Sequence, residues 1–176
     1  MKIVKRQLIV LVLLCGIALT VLAGLMIAGK KQAETKAEEI SVFSCDPSLL
    51  NSIRIETEGR LLFLTRQSGT EVNWVLEDSG EAVNETLLAQ MLAEIEDVKS
   101  DTVIENVTDF APYGLDAPSM TISLALGGMG KQLEIGDYSA NAHRYYARAN
   151  GENRVFLLTT AVKAAFDITA EELKAD

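Results

Sequence analysis

The chain is short of the residues that most protein chemistry needs. His143 is its only histidine, Trp74 its only tryptophan, and Cys15 and Cys45 its only cysteines. A structural zinc site takes four nitrogen or sulfur ligands in close sequence clusters, and this sequence has none. A disulfide between Cys15 and Cys45 is excluded too, because the first lies inside a long apolar run and the second well outside it. No G-x-S-x-G, H-E-x-x-H or Walker sequence occurs. Neither a metal nor any other cofactor is expected. Basic residues are also scarce. Three of the 16 precede residue 30, so the remainder carries 13 against 25 acids, a formal charge of −12. Such a surface repels nucleic-acid phosphates and anionic headgroups, which argues against a nucleic-acid partner and against electrostatic attachment to a membrane.

What the chain does have is an unbroken apolar run from Leu8 to Gly29, in which Thr20 is the only strongly hydrogen-bonding side chain. As a helix these residues would span about 33 Å, against about 30 Å of bilayer hydrocarbon. The expectation is a single transmembrane helix over 8–29, preceded by a cytoplasmic tail, 1–7. A linker or stalk, 30–45, would lead to an extracytoplasmic domain, 46–176, at the cell membrane. Basic residues are equal in number on the two sides of the run, Lys2, Lys5 and Arg6 against Lys30, Lys31 and Lys36. The orientation therefore rests on the short tail being the easier part to retain. Two alternatives stay open: signal-peptide cleavage after Ala23, and a lipoprotein signal at Cys15, which bulky Leu14 disfavours.

Beyond the run, KKQAETKAEEI (30–40) has good helix formers and almost no apolar stripe, as a spacer would. From Ser52 the period becomes two. Ile53 and Ile55 alternate with Arg54 and Glu56, Gly59-Arg60 turns, Leu61 to Thr65 resumes, and Val72, Trp74 and Leu76 form a third strand. Asn84 is an N-cap for a helix whose apolar positions are Leu87, Leu88, Met91, Leu92, Ile95 and Val98. Alternation resumes over Met120 to Leu126, Gly127-Gly128 turns, and Leu133 and Ile135 continue. Gly136-Asp137 reads as another turn. Arg144 to Ala149 and Arg154 to Leu158 read as a hairpin around Asn150-Gly151, and a helix with Val162, Ala165 and Phe166 follows. Thr169-x-x-Glu172 is a capping box. The fold class is α+β: one antiparallel-sheet domain, read as two β-β-β-α repeats, 52–98 and 119–166, with helices packed on the sheet.

Ser52-Ile53-x-Ile55, Trp74, Tyr113-Gly114-Leu115-Asp116-x-Pro118, Ile135-Gly136-Asp137, Tyr145-Tyr146-x-Arg148 and Val155-x-Leu157 occur in this order. Over roughly residues 46–174 the chain thereby resembles the bacterial domain-of-unknown-function family 4340 (DUF4340). The YGLDAP sequence followed by IGD carries most of the likeness. The resemblance implies one N-terminal membrane helix and, for some members, genes beside auxiliary components of gliding-motility-type ABC transporters. It implies no catalytic residues. Trp74, Tyr113, Gly114, Leu115, Asp116, Pro118, Gly136 and Asp137 are thus family-motif residues without an assigned role.

The residues themselves offer few chemical candidates. His143 lies in a polar loop with no evident partner, and Gly127-Gly128-Met129-Gly130 joins two strands rather than opening a phosphate-binding helix. Asp116 and Asp137 could pair as acid and base, but aspartate is common in turns for local backbone bonding. Arg144, Tyr145, Tyr146 and Arg148 form a candidate contact patch beside the plainer alternative of one tyrosine in the core and one covering the sheet. The expected function is non-enzymatic: a membrane-anchored binding or accessory component of an envelope or ABC-transporter-type assembly. Two rival classes remain. One is an envelope hydrolase or transferase using turn carboxylates; the other is a cell-wall glycan-binding module, for which one tryptophan and four tyrosines are few.

Overall fold

A computed structural model describes residues 39–68 and 72–175. The apolar run 8–29, with the expected tail and most of the expected linker, lies outside the described residues. No helix among the described residues is long and apolar enough to cross a membrane.

The described chain is α+β and mostly antiparallel sheet. Its strands are β1 (Ile40–Ser44), β2 (Leu50–Thr57), β3 (Arg60–Ser68), β4 (Val72–Leu76), β5 (Asp97–Ser100), β6 (Val103–Ile104), β7 (Met120–Leu126), β8 (Met129–Ser139), β9 (Arg144–Ala149) and β10 (Val155–Leu158). Helix α1 (Glu85–Glu96) follows β4, and α2 (Thr160–Phe166) and α3 (Ala170–Leu173) end the chain. Eight strands make one sheet in the order β4-β3-β2-β7-β8-β9-β10-β6, while β1 and β5 pair separately.

Alternation in sequence becomes rows of apolar side chains across the sheet. Leu62 stands opposite Ile55, Ile55 opposite Ile122, Ile122 opposite Leu133, and Leu133 opposite Ala149, all buried. Such residues contribute about 1.5–3 kcal/mol each when fully withdrawn from water. The Gly127-Gly128 turn joins β7 to β8 as expected; both glycines have positive φ, the requirement of a two-residue hairpin that keeps strand twist.

The Asn84 side-chain oxygen accepts from the Thr86 and Leu87 N–H groups at 3.0 and 3.2 Å, so the N-cap stands. Leu88, Met91 and Ile95 are buried, whereas Leu87 and Leu92 are only half-buried. Val98 belongs to β5 rather than to the helix, opposite Phe43. Its position satisfies both the helical and the alternating period, and pairing with β1 decides between them. That pairing also revises the linker: Ile40–Ser44 is a strand, with Val42, Phe43 and Cys45 buried. The capping box forms at α3, with Thr169 accepting from the Glu172 N–H and Glu172 from the Thr169 N–H.

Gly136-Asp137 is not a turn. Both residues lie inside β8, where the pairing with β9 slips between Ile135 and Tyr138, a bulge opposite Tyr146. Successive side chains of a strand point to opposite faces. One face of the sheet, with Ala147, Phe156 and Leu158, joins the main core beneath the helices. The other, at the β9–β10 side, carries a second apolar cluster in which Val107 and Leu115 from the 105–118 loop pack with Val155.

Candidate functional site

The family-motif residues, except Trp74, converge on the β8 bulge. The 105–118 loop passes over the bulge through the short helical turn Ala111–Tyr113, which ends at Gly114 in the left-handed conformation, φ 67°. At Gly136 the contact between loop and bulge is backbone to backbone, and at Gly114 it is with the Asp137 side chain. A Cβ placed on Gly136 would stand 2.2 Å from the Tyr113 carbonyl oxygen, and one on Gly114 would stand 2.5 Å from the Asp137 carboxyl carbon. Leu115 is buried in the second cluster. Asp116 and Asp137 are both exposed.

Tyr145 and Tyr146 point to opposite faces, and each is half-buried. The Tyr146 ring meets Tyr113 edge-on, centroids 5.1 Å apart, and covers the second cluster. Tyr145 packs on the main core, with the Tyr138 ring 5.1 Å away and the Lys163 ammonium 4.5 Å above its ring. The candidate patch is therefore divided: Arg144, Tyr146 and Arg148 share one face, Tyr145 the other.

Both arginines are occupied. Arg148 Nε donates to Glu134 across the strand pair at 2.5 Å, with side-chain exposures of only 21% and 13%, and its guanidinium lies 4.4 Å from the Phe110 ring centroid. The Glu134 hydrogen bond raises the Arg148 pKa above its ordinary value, with a smaller contribution from the charge of Asp116. Arg144 reaches Asp101 with both terminal nitrogens; hydrogen bonds from Arg144 and then Thr102 hold the Asp101 carboxyl below the usual carboxylate range.

Beneath the bulge, the Ser119 hydroxyl donates toward the carbonyl oxygens of Ile135 and Gly136, each 3.1 Å away, and accepts from the Lys163 ammonium at 3.1 Å. Lys163 thus buckles α2 onto the irregular strand. Among the described residues the hydrogen-bond partner of His143 is the Tyr138 hydroxyl, at 3.3 Å. Trp74 stands apart, lining a cleft of about 250 Å³ with Asn73, Leu88 and Leu92. Glu134, Phe110, Ser119 and Lys163 escape a reading of the sequence. Only the strand register reveals that Glu134 opposes Arg148.

Among the described residues no group of three His, Cys, Asp or Glu is placed to hold a metal ion, and every buried side-chain polar atom has a hydrogen-bond partner. The two arginines beside the bulge are committed to Glu134, Asp101 and the Phe110 ring, while Asp116 and Asp137 face solvent. Such an arrangement fixes a loop on a sheet and presents a shaped surface.

A family model described as a domain of unknown function (DUF4340) matches residues 74–176, from β4 onward. No curated protein matches, and no solved structure does.

Proposed function

The chain belongs to the DUF4340 family, and we propose that it is a membrane-tethered extracytoplasmic component that acts by binding rather than by catalysis. The supporting observation is the mutual pairing of charges at the motif site: Arg148 with Glu134 and Arg144 with Asp101. A general acid or base needs a proton it can exchange with a substrate, whereas the pairing raises the pKa values of Arg148 and Arg144 and lowers that of Asp101. On this reading Leu8–Gly29 is the tether and the partner is another membrane-held protein, such as a component of an ABC-transporter-type assembly. The same reading takes 52–98 and 119–166 as one strand-strand-strand-helix plan used twice. The sheet order supports the likeness of the first three strands, since β4-β3-β2 meets β7-β8-β9 with the first strands of the two units adjacent; the second unit adds a fourth strand, β10, before its helix.

Complementation tests the proposal. Cells lacking the protein should be rescued by stably folded Asp116→Asn and Asp137→Asn variants and not by a chain without residues 1–29. Tethering raises effective concentration at a membrane partner, while loss of a general acid or base typically costs about 100-fold or more in rate. A stable Asp137→Asn variant that fails, beside an untethered chain that complements fully, would replace this reading with a hydrolase or transferase using turn carboxylates.

A further inference from the structure

Leu49 and Met129 lie at the same end of the large sheet, on either side of the end of β7. Leu49 closes the short helical turn Pro47–Leu49, Met129 opens β8, and the Gly127 N–H donates to the Leu49 carbonyl at 3.2 Å. They are 54% and 68% exposed; of the other large apolar side chains left open among the described residues, Leu61 is nearly as exposed as Leu49 but lies near the opposite end of the strands, and Tyr138 is less exposed. Gly127 and Gly128 beside them carry no side chain, and neither Leu49 nor Met129 lines the described clefts. Two exposed apolar side chains therefore lie at this end of the sheet, the Leu49–Met129 corner, outside the described clefts.

Two cations flank the corner. Arg66 donates to the Ser48 carbonyl at 2.7 Å, and Lys131 donates to the Ser44 carbonyl. Among the described residues seven lysines and arginines form ion pairs; Arg66, Lys131 and Lys163 do not. Two of the three cations without a carboxylate partner thus stand at the apolar corner of an acidic domain. The corner's own acid, Asp46, is engaged by the Ser48 N–H at 2.9 Å and hydroxyl at 2.7 Å. An ammonium has three donors and a guanidinium five, so both cations keep donors for an anionic oxygen.

Apolar side chains that enter the headgroup boundary, with cations level with the phosphates, are the composition of an interfacial contact. We infer that the Leu49–Met129 corner rests in the headgroup layer of a phospholipid bilayer, with Arg66 and Lys131 at lipid phosphates. The inference rests on the reading that the chain is held at a membrane. Two side chains are too little for stable attachment alone, and the contact becomes effective through the high local concentration that tethering supplies.

Full-length protein in nanodiscs of zwitterionic phospholipid with brominated acyl chains tests this. In a Trp74→Phe background, Met129→Trp and Leu49→Trp should each lose about half their emission relative to unbrominated discs, as suits a ring ~5–10 Å into the headgroup boundary. Leu61→Trp, near the opposite end of the strands, should lose little. Absence of quenching at both corner positions while the chain still co-elutes with the discs overturns the corner contact and leaves the tether standing. Equal quenching at all three positions overturns it as well. Failure to co-elute overturns the tether reading instead.

Discussion

Gly136 lies so close to Tyr113 that a single methyl group on its Cα would stand 2.2 Å from the Tyr113 carbonyl oxygen. This contact explains why YGLDAP and IGD belong together. The first supplies a helical turn ending in a left-handed glycine, the second a bulged strand without a side chain where the loop crosses. Neither motif has a structural reason without the other.

Gly136→Ala should therefore destabilise the domain by at least the about 1–3 kcal/mol typical of overpacking, since the obstructing atoms are backbone and cannot swing aside. Gly130→Ala, where a Cβ meets nothing within 4 Å, is the control. Gly114→Ala is different in kind: Asp137 can move, so the residual penalty is the about 1–2 kcal/mol of a left-handed non-glycine residue. Urea denaturation of Gly114→Ala with and without Asp137→Ala separates the two contributions. An unchanged midpoint for Gly136→Ala would show that the loop does not cross the bulge as described.

Helix α1 offers a second comparison. Met91 is 1% exposed and Leu92 half-buried beside Trp74. Met91→Ala should cost about 2–5 kcal/mol, as buried large-to-alanine changes do, and Leu92→Ala clearly less. Equal losses in thermal or urea unfolding would mean that the helix is rotated from the position described here.

Strands and helix caps were legible wherever a local signal sufficed. The alternation of Ile53 with Ile55, the Gly127-Gly128 hairpin, the Asn84 cap and the Thr169–Glu172 box depend on residues within a few positions of one another. Gly136-Asp137 reads as a turn because turns and bulges favour the same small or polar residues. What distinguishes them is the backbone of Tyr113, more than twenty positions earlier. Likewise β1 is hidden behind a charged, helix-forming stretch because its partner, β5, lies over fifty residues away. The Arg148–Glu134 pair is invisible without the register of β8 against β9, and so the candidate patch reads as free cations when it is a closed pair.

Closure of that pair sets the cost of opening it. Arg148→Ala should destabilise by about 2–3 kcal/mol, because Glu134, 13% exposed, loses a charged hydrogen-bond partner and Phe110 loses its covering guanidinium. Arg148→Lys should recover part of this, since an ammonium keeps the charge but not the flat stacking group. Arg144→Ala opens a pair about one-third exposed at each end and should cost less than about 1 kcal/mol after screening. If Arg148→Ala folds as stably as wild type, the pair is not structural and the arginine is available to a partner.

Cys45 provides a test of the β1–β5 edge. The thiol is 6% exposed, and burial, the largest influence, raises its pKa despite the opposing charge of Lys131. Low exposure and the raised pKa both oppose thiolate chemistry, so a maleimide should react slowly with the native domain and fully in urea. The sign of the pH dependence follows. With the folded value above the unfolded value of about 8.5, the stabilisation associated with keeping the proton is fully present below pH ~8.5. It is lost as pH rises through the folded value. Stability in urea should therefore fall more steeply above pH ~8.5 in wild type than in Cys45→Ala. Rapid labelling of the native protein, together with identical pH profiles, would show that the segment from Ile40 to Cys45 peels away from β5 and that the domain can shed its first strand.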